Sequence, residues 1–474
     1  MQNCHHSLRN YWSLYLIAVL TPLLLWAVIP ILPTHDDWVS MTSPDFSPFF
    51  TKEHFFFYGY HWRPFDTWIG YVAGRNPQVL WPSFNHILVV LGHLICSWAL
   101  YRLLTVLKMK EAAKNIATFL FFITPAAMAT VTAVDSQNQV FALTCDIIAF
   151  LYYVKHNKYK YFIWPLLIFL ATLFKENGLM WALVCPILAY GFHYIDNKTL
   201  KKDILVGIAI MAVYALAIVL LPKDIIIHPD YEPGVMKVIK NTVKFLFNSF
   251  ITVDYIYLLH QPSRNLLLAG ISLLLTIPFF YFIYIRNWKM YFSRQMICTI
   301  ICLIIAVGPH LGTVFSMMHT YAGLATIAII TAYSIDYTKN ALKLLVISFI
   351  LWIFSAVLID IHLIESSVKS GFIGKKMAQQ AIQKTGKPVK SVYVIIIEDD
   401  YPKLSSFCVI PNEAFGWGLA SRYETNYQWP KVVKDTTIER TDNYINQVNL
   451  LVENTKKQYE AVWVVNHDQV EVFK

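Results

Sequence analysis

Residues 11–37 read YWSLYLIAVLTPLLLWAVIPILPTHDD, a largely apolar run from Tyr11 to Leu32 that stops at two adjacent acids, Asp36 and Asp37. A run of this length fits a bilayer core of about 30 Å, because a helix rises about 1.5 Å per residue. It is too long for the core of a signal peptide and continues into Pro33-Thr34-His35 rather than a small-residue cleavage site, so it reads as a retained membrane span. The whole chain agrees. Its 474 residues are 56% hydrophobic, 15% aromatic and 15% charged, with a mean hydropathy of +0.46; soluble domains carry about 25% charged residues. An ordinary soluble enzyme is thereby excluded.

Outward from this first span, ten further apolar runs follow: Trp81 to Leu107, Ile116 to Val134, Val140 to Val154, Tyr161 to Phe174, Gly178 to Phe192, Ile204 to Leu221, Leu266 to Ile285, Met296 to Gly312, Tyr321 to Ile335 and Leu342 to Ile359. The expected fold is therefore an all-α polytopic membrane protein of about eleven spans. The formal net charge of +9 does not point to nucleic acid, because Lys and Arg sit in short clusters between apolar runs rather than on one basic face. Those clusters are Arg102 to Lys114, Lys155 to Lys160, Lys198 to Lys202, Arg286 to Arg294 and Lys339 to Lys343. All five fall on one side if every run crosses, which makes that side cytoplasmic. Loops 33–80 and 222–264, the shorter turns at Asp135, Lys175 and Ser316, and the tail then face outward. Phe245 to Leu259 would break this parity if it crossed; with Asn248 and Asp254 inside it, it reads as an amphipathic element lying flat at the outer interface.

After Asp360 the composition becomes mixed and polar. A helix over Lys375 to Lys384, a strand over Ser391 to Glu398, a helix over Thr441 to Lys457, a strand over Ala461 to Val465 and a final strand over Val470 to Phe473 predict a small α/β extracytoplasmic domain. The chain thus divides into a transmembrane domain, 1–361, and a cap, 362–474. Five of the seven cysteines lie inside apolar runs, so no disulfide framework follows.

Polar residues gather where the spans meet the outer loops. Asp36 and Asp37 are costly to desolvate and serve no packing purpose; the plain alternative is a solvated loop start anchored by Trp38. The same loop carries Tyr60-His61-Trp62-Arg63-Pro64-Phe65-Asp66. The second span opens Phe84-Asn85-His86, with His93 two turns further on the same face, a polar stripe suited to a cavity. Lys175 and Glu176 form an outer turn in which a cation is not explained by topology, although a local ion pair between the two would be a bland account. His310 and His319 flank a later outer turn, and Asp146 sits mid-span, where helix-to-helix hydrogen bonding is the simpler reading.

Together the Asp36-Asp37 pair, Arg63-Pro64, the Phe84-x-His86 opening with His93, Thr124-Pro125 and the Lys175-Glu176 turn with Pro186 downstream resemble the GT-C glycosyltransferases. The likeness is to the protein O-mannosyltransferases and their tetratricopeptide-bearing relatives, and it covers roughly the first 190 residues. Such a resemblance implies transfer of a sugar from a polyprenyl-phosphate donor to a hydroxyl on a glycan, lipid or protein acceptor, with inversion. It implies Asp36 as the base beside Asp37. Arg63 and Lys175 would hold the donor phosphate, with His61, His86, His319 and Glu176 as further substrate contacts. The sequence departs from the pattern in its second acid, in Val89 between the histidines, and in Ser136 to Gln139, where the tetratricopeptide branch has Gly-Arg-x-Glu.

The competing reading is a lipid-linked sugar flippase or another transporter, which needs charges spread through the spans and broken helices. Acidic pairs bind divalent cations, and that question stays open because no complete ligand set is legible; no other cofactor is implied. Asn197-Lys198-Thr199, a glycosylation sequon on the cytoplasmic side with none outside, fits a bacterial inner membrane with the site and cap on the periplasmic side.

Overall fold

Each of the eleven apolar runs carries a helix among its described residues. The computed structural model describes residues 11–32, 55–56, 61–66, 69, 83–133, 136–155, 158–220, 234–253, 263–312, 315–338, 342–398 and 432–474. The helices are α1 (Trp12–Val28), α2 (Ser83–Val106), α3 (Glu111–Ile123), α4 (Pro125–Val131), α5 (Gln137–Val154), α6 (Lys160–Phe174), α7 (Trp181–Gly191), α8 (Asn197–Leu220), α9 (Val235–Phe250), α10 (Ser263–Phe280), α11 (Arg294–Leu311), α12 (Tyr321–Tyr337) and α13 (Leu342–Thr385). Among the described residues six helices are long and apolar enough to cross a membrane, or seven if α3 and α4 count as one span; α1 and α6 are apolar but shorter. The α3/α4 pair bends by 47° at Thr124. Thr124 is extended because Pro125 follows it, and Pro125 opens α4 where its missing N–H is harmless.

The five basic turns come together at one end of the bundle. There the Tyr194 hydroxyl donates to the Val106 carbonyl, and the Lys110 N–H donates to Asp336 at 2.9 Å. Lys160 pairs with the fully buried Asp203 at 2.7 Å, Arg294 donates to the Tyr190 carbonyl at 2.6 Å, and Asn287 bonds Thr338 at 2.6 Å. The opposite end carries Ile31, Arg63, Asn138, Lys175 and Leu311.

The element expected to lie flat over Phe245 to Leu259 falls outside the described residues beyond residue 253, and its described part differs from the expectation: helix α9 spans Val235–Phe250 and runs inward. It starts at that second end, where Asn241 donates to the Leu311 carbonyl at 2.9 Å and Phe245 meets Phe315 edge-on. It then runs inward until the Phe250 ring packs on Phe280 and Tyr284. Those residues lie about 25 and 31 Å along from Ser263 at a helical rise of about 1.5 Å per residue. Residues 251–253 are non-helical, with Thr252 and Val253 fully buried and the Thr252 hydroxyl bonded to that of Ser355 at 2.5 Å. The chain returns to the first side by α10, so the segment is re-entrant. The parity of the later spans is unchanged.

Nor is there a break between span and cap. The expected separate helix at Lys375 to Lys384 is the last part of α13, one helix of 44 residues. Its outer stretch crosses the exit of α1 so closely that a Cβ on Gly371 would lie 2.8 Å from the Leu32 Cβ. The remaining strands are the short pair β1 (Phe55–Phe56) and β2 (His61–Trp62), then β3 (Ser391–Ile397), β4 (Val432–Ile438), β5 (Ala461–Asn466) and β6 (Gln469–Phe473), with helix α14 (Tyr444–Thr455) before β5. The cap sheet runs β4-β3-β5-β6, parallel except for β6. Strand β3 is almost wholly apolar because both faces are covered: Met377, Ala378 and Ala381 of α13 pack on Val392, Val394 and Trp463, while Val448 and Val452 of α14 pack on Ile395, Ile397 and Val464.

Candidate functional site

Three segments distant in sequence meet at the second end of the bundle: the turn Arg63 to Asp66, the head of α5, and the turn after α6. The last of these is built by backbone geometry. Lys175 is extended (φ −153°, ψ 135°), and a short 3-10 helix, Glu176–Met180, follows it. Gly178 folds against the last turn of α6, where a Cβ would stand 2.8 Å from the Ala171 Cβ and 2.9 Å from its carbonyl carbon. Only glycine admits that approach.

The side chains of Lys175 and Glu176 part where the chain passes from extended backbone into this 3-10 helix. Glu176 accordingly reaches Arg63, which donates through Nε at 2.7 Å and through Nη2 at 2.6 Å in a bidentate pair. Lys175 goes the other way, its Nζ donating to Asn138 Oδ1 at 3.4 Å. Asn138 in turn donates through Nδ2 to Asp66 Oδ2 at 2.9 Å, and Gln137 Nε2 lies 3.5 Å from Asp66 Oδ1. Both amides sit in the first turn of α5, where the helix dipole favours a carboxylate.

Burial makes these charges costly. Arg63, Asp66 and Lys175 are 9%, 1% and 5% exposed. Burial pushes the Asp66 carboxyl above its usual range, against the opposing pull of Asn138, Arg63 and Lys175. Burial works against the Arg63 charge as well, but Glu176 and Asp66 outweigh it and hold the guanidinium above its ordinary value. Two cations and two carboxylates thus share one poorly solvated region.

His319 borders it. Its ring lies 4.8 Å from that of His310 and within electrostatic reach of Lys175, Arg63 and Glu176. The Ser316 N–H donates to His319 Nδ1 at 3.0 Å, so Nδ1 is an acceptor and the imidazole proton sits on Nε2. Met318, on the same turn, receives the Ser136 hydroxyl on its sulfur at 2.8 Å, tying this turn to the head of α5.

Of the residues singled out by sequence, the structure brings together Arg63, Lys175, Glu176 and His319. Asp36 and Asp37 lie outside the described residues, and His61 is in β2, paired with Phe56. Among the described residues the histidine stripe of α2 bonds protein groups: His86 Nε2 bonds the Ile31 carbonyl at 3.1 Å, and His93 is held between the Tyr321 hydroxyl at 2.8 Å and the Phe122 carbonyl at 3.0 Å. The local Lys175 to Glu176 ion pair is likewise replaced by Arg63 to Glu176. Asp146 lacks the expected interhelical bond: its Oδ1 has no hydrogen-bond partner among the described residues.

Sequence reasoning quoted Asp66 and the stretch Ser136 to Gln139 without giving them a role, and it passed over Tyr214, whose phenol on α8 lies within electrostatic reach of Glu176 and Arg63. A signal was present in that stretch. Gln137-Asn138-Gln139 places three amides in a row at the head of an apolar helix, and all three are buried. Among the described residues no three His, Cys, Asp or Glu side chains gather in a way that would hold a metal ion.

Among solved structures the chain is similar to ArnT from Cupriavidus metallidurans, determined with undecaprenyl phosphate bound. The TM-score is 0.52 over 98% of each chain, at 12% identity. No protein-family model and no curated protein matches. The likeness is one of fold, that of a polytopic membrane protein whose C-terminal residues form a small sheet domain.

Proposed function

We propose that the chain is a membrane glycosyltransferase that moves a sugar from a polyprenyl-phosphate donor to a hydroxyl acceptor on the extracytoplasmic face. The buried cluster of Arg63, Glu176, Asp66, Asn138 and Lys175, set at one end of a fold shared with ArnT, carries this reading. Its cations suit a donor whose leaving group is already a phosphate, so that no general acid is required. The gathering of all five basic turns at the other end supports an outward-facing site.

In the reaction, the acceptor hydroxyl gives its proton to the Asp36 carboxylate as its oxygen attacks the anomeric carbon. The bond from that carbon to the phosphate oxygen breaks on the opposite face, which inverts the configuration and releases polyprenyl phosphate. Lys175 faces the charge that grows on the leaving phosphate. Arg63 has its bidentate edge on Glu176, so it supports the site as that carboxylate's counter-ion and adds positive charge beside the phosphate.

The test is transfer from a purified polyprenyl-phosphate sugar in proteoliposomes. Asp36→Asn should lower turnover by about 10² to 10⁴, the usual worth of a general base. Asp37→Asn should cost less. Full activity in both variants would remove this loop from the chemistry and favour the flippase reading.

A further inference from the structure

Asp66 is bonded to two side-chain amides and, among the described residues, to neither cation. A carboxylate that is 1% exposed is expensive to bury even with amide partners. Its effect is on Asn138. A primary amide can be turned over at little steric cost, so its orientation is decided by its partners. With an ionised carboxylate on one side and an ammonium on the other, only one orientation works. Nδ2 must face Asp66, and Oδ1 must face Lys175; the reverse sets oxygen against carboxylate and N–H against ammonium.

We infer that Asp66 is a positioning residue for Lys175, acting through the amide of Asn138 to fix the ammonium where the donor's phosphate is received. This rests on the reading of the site as the donor-phosphate pocket and adds to it the residue that aims the cation. The turn carrying Asp66 also carries Arg63, so a single short segment sets the surroundings of both cations. Gln137 steadies the same carboxylate from the helix head, which keeps the relay rigid.

The full chain in nanodiscs offers two independent readings of the relay. The first is acylation of Lys175 by an amine-directed reagent, followed by mass spectrometry, with Lys160 as reference because it is held by Asp203 at the opposite end. Asp66→Leu and Asn138→Leu should each raise Lys175 labelling by about tenfold, near the net worth of one hydrogen bond, and leave Lys160 unchanged. The double variant should go no further than either single one, since both cut the same relay. The second reading is steady-state transfer, in which donor KM should rise by a similar factor while kcat moves less. Asp66→Asn keeps the volume and an acceptor oxygen, and it should give a smaller rise in Lys175 labelling; it decides the matter should the leucine variants also expose Lys160. Unchanged labelling of Lys175 in these variants, or strictly additive effects in the double, overturns the inference. A protein that uses no polyprenyl-phosphate donor overturns the functional reading instead, and Lys175 labelling still decides the relay.

Discussion

Glu176 shows most directly how one carboxylate governs this site. Replacing it with Gln leaves the Arg63 guanidinium buried without its counter-charge, a change that costs about 3 to 5 kcal/mol in fully buried pairs. Glu176 retains 26% side-chain exposure, so the lower end of that range is expected. The double variant Arg63→Gln, Glu176→Gln should be more stable than Glu176→Gln alone, as read from thermal unfolding in detergent. Equal stability of Glu176→Gln and the unaltered protein would mean that water already screens the pair. At this scale the sequence made Arg63, Lys175 and Glu176 legible because charges at the outer ends of apolar runs have no packing use. Their pairing was hidden. Chain neighbours suggest a local bond, whereas the extended backbone at Lys175 turns the two side chains apart. His86 and His93 share a helix face as their spacing requires, but spacing cannot tell whether that face meets a cavity or the carbonyls of adjacent helices.

Among the elements, the turn after α6 depends on one glycine. Gly178→Ala forces a methyl into the last turn of α6, and such overpacking costs about 1 to 3 kcal/mol. Because the same turn carries Lys175 and Glu176, the expected result is a lowered unfolding temperature together with a raised donor KM. A variant with normal stability and normal KM would show that the turn relaxes freely. Helices were the readable elements, since runs of apolar residues fix them whatever they pack against. Helix α9 was readable only at its end, as the start of an amphipathic element at Phe245, because its inward course depends on the buried surface that receives Phe245, Asn248 and Ser249. Strand β4 was missed because Lys434-Asp435-Thr436-Thr437 looks like a loop; an edge strand tolerates such polarity. The continuity of α13 was missed for the opposite reason. Composition changes near Asp360, but no proline lies between Leu342 and Thr385 to stop the helix.

For the molecule as a whole, sidedness is the property that most needs a measurement. In a background without the native cysteines, cysteines introduced at Ser316 and Ser391 should react with an impermeant thiol reagent from outside, and one at Ser293 should not. Labelling at Ser293 but not at Ser391 would reverse the orientation of everything after α9. The polytopic plan and the mixed α/β cap were legible from hydropathy and strand alternation alone. The meeting of residues 63–66, 136–138, 175–176 and 316–319 was not, because it is made by helix packing between segments more than a hundred residues apart in places.

The re-entrant segment also constrains the order in which the protein is made. Residues 251–253 hold non-helical backbone whose Thr252 bonds Ser355, at a depth where lipid offers nothing to bond with. Their shelter is supplied by α10 and α13, both of which leave the ribosome after them. The segment must therefore wait at the surface until its own C-terminal neighbours have been inserted, and only then move inward. Insertion along this chain does not run strictly from the first residue to the last, and a ribosome halted before residue 355 would carry a nascent chain in which Thr252 still lacks the Ser355 hydroxyl that it bonds.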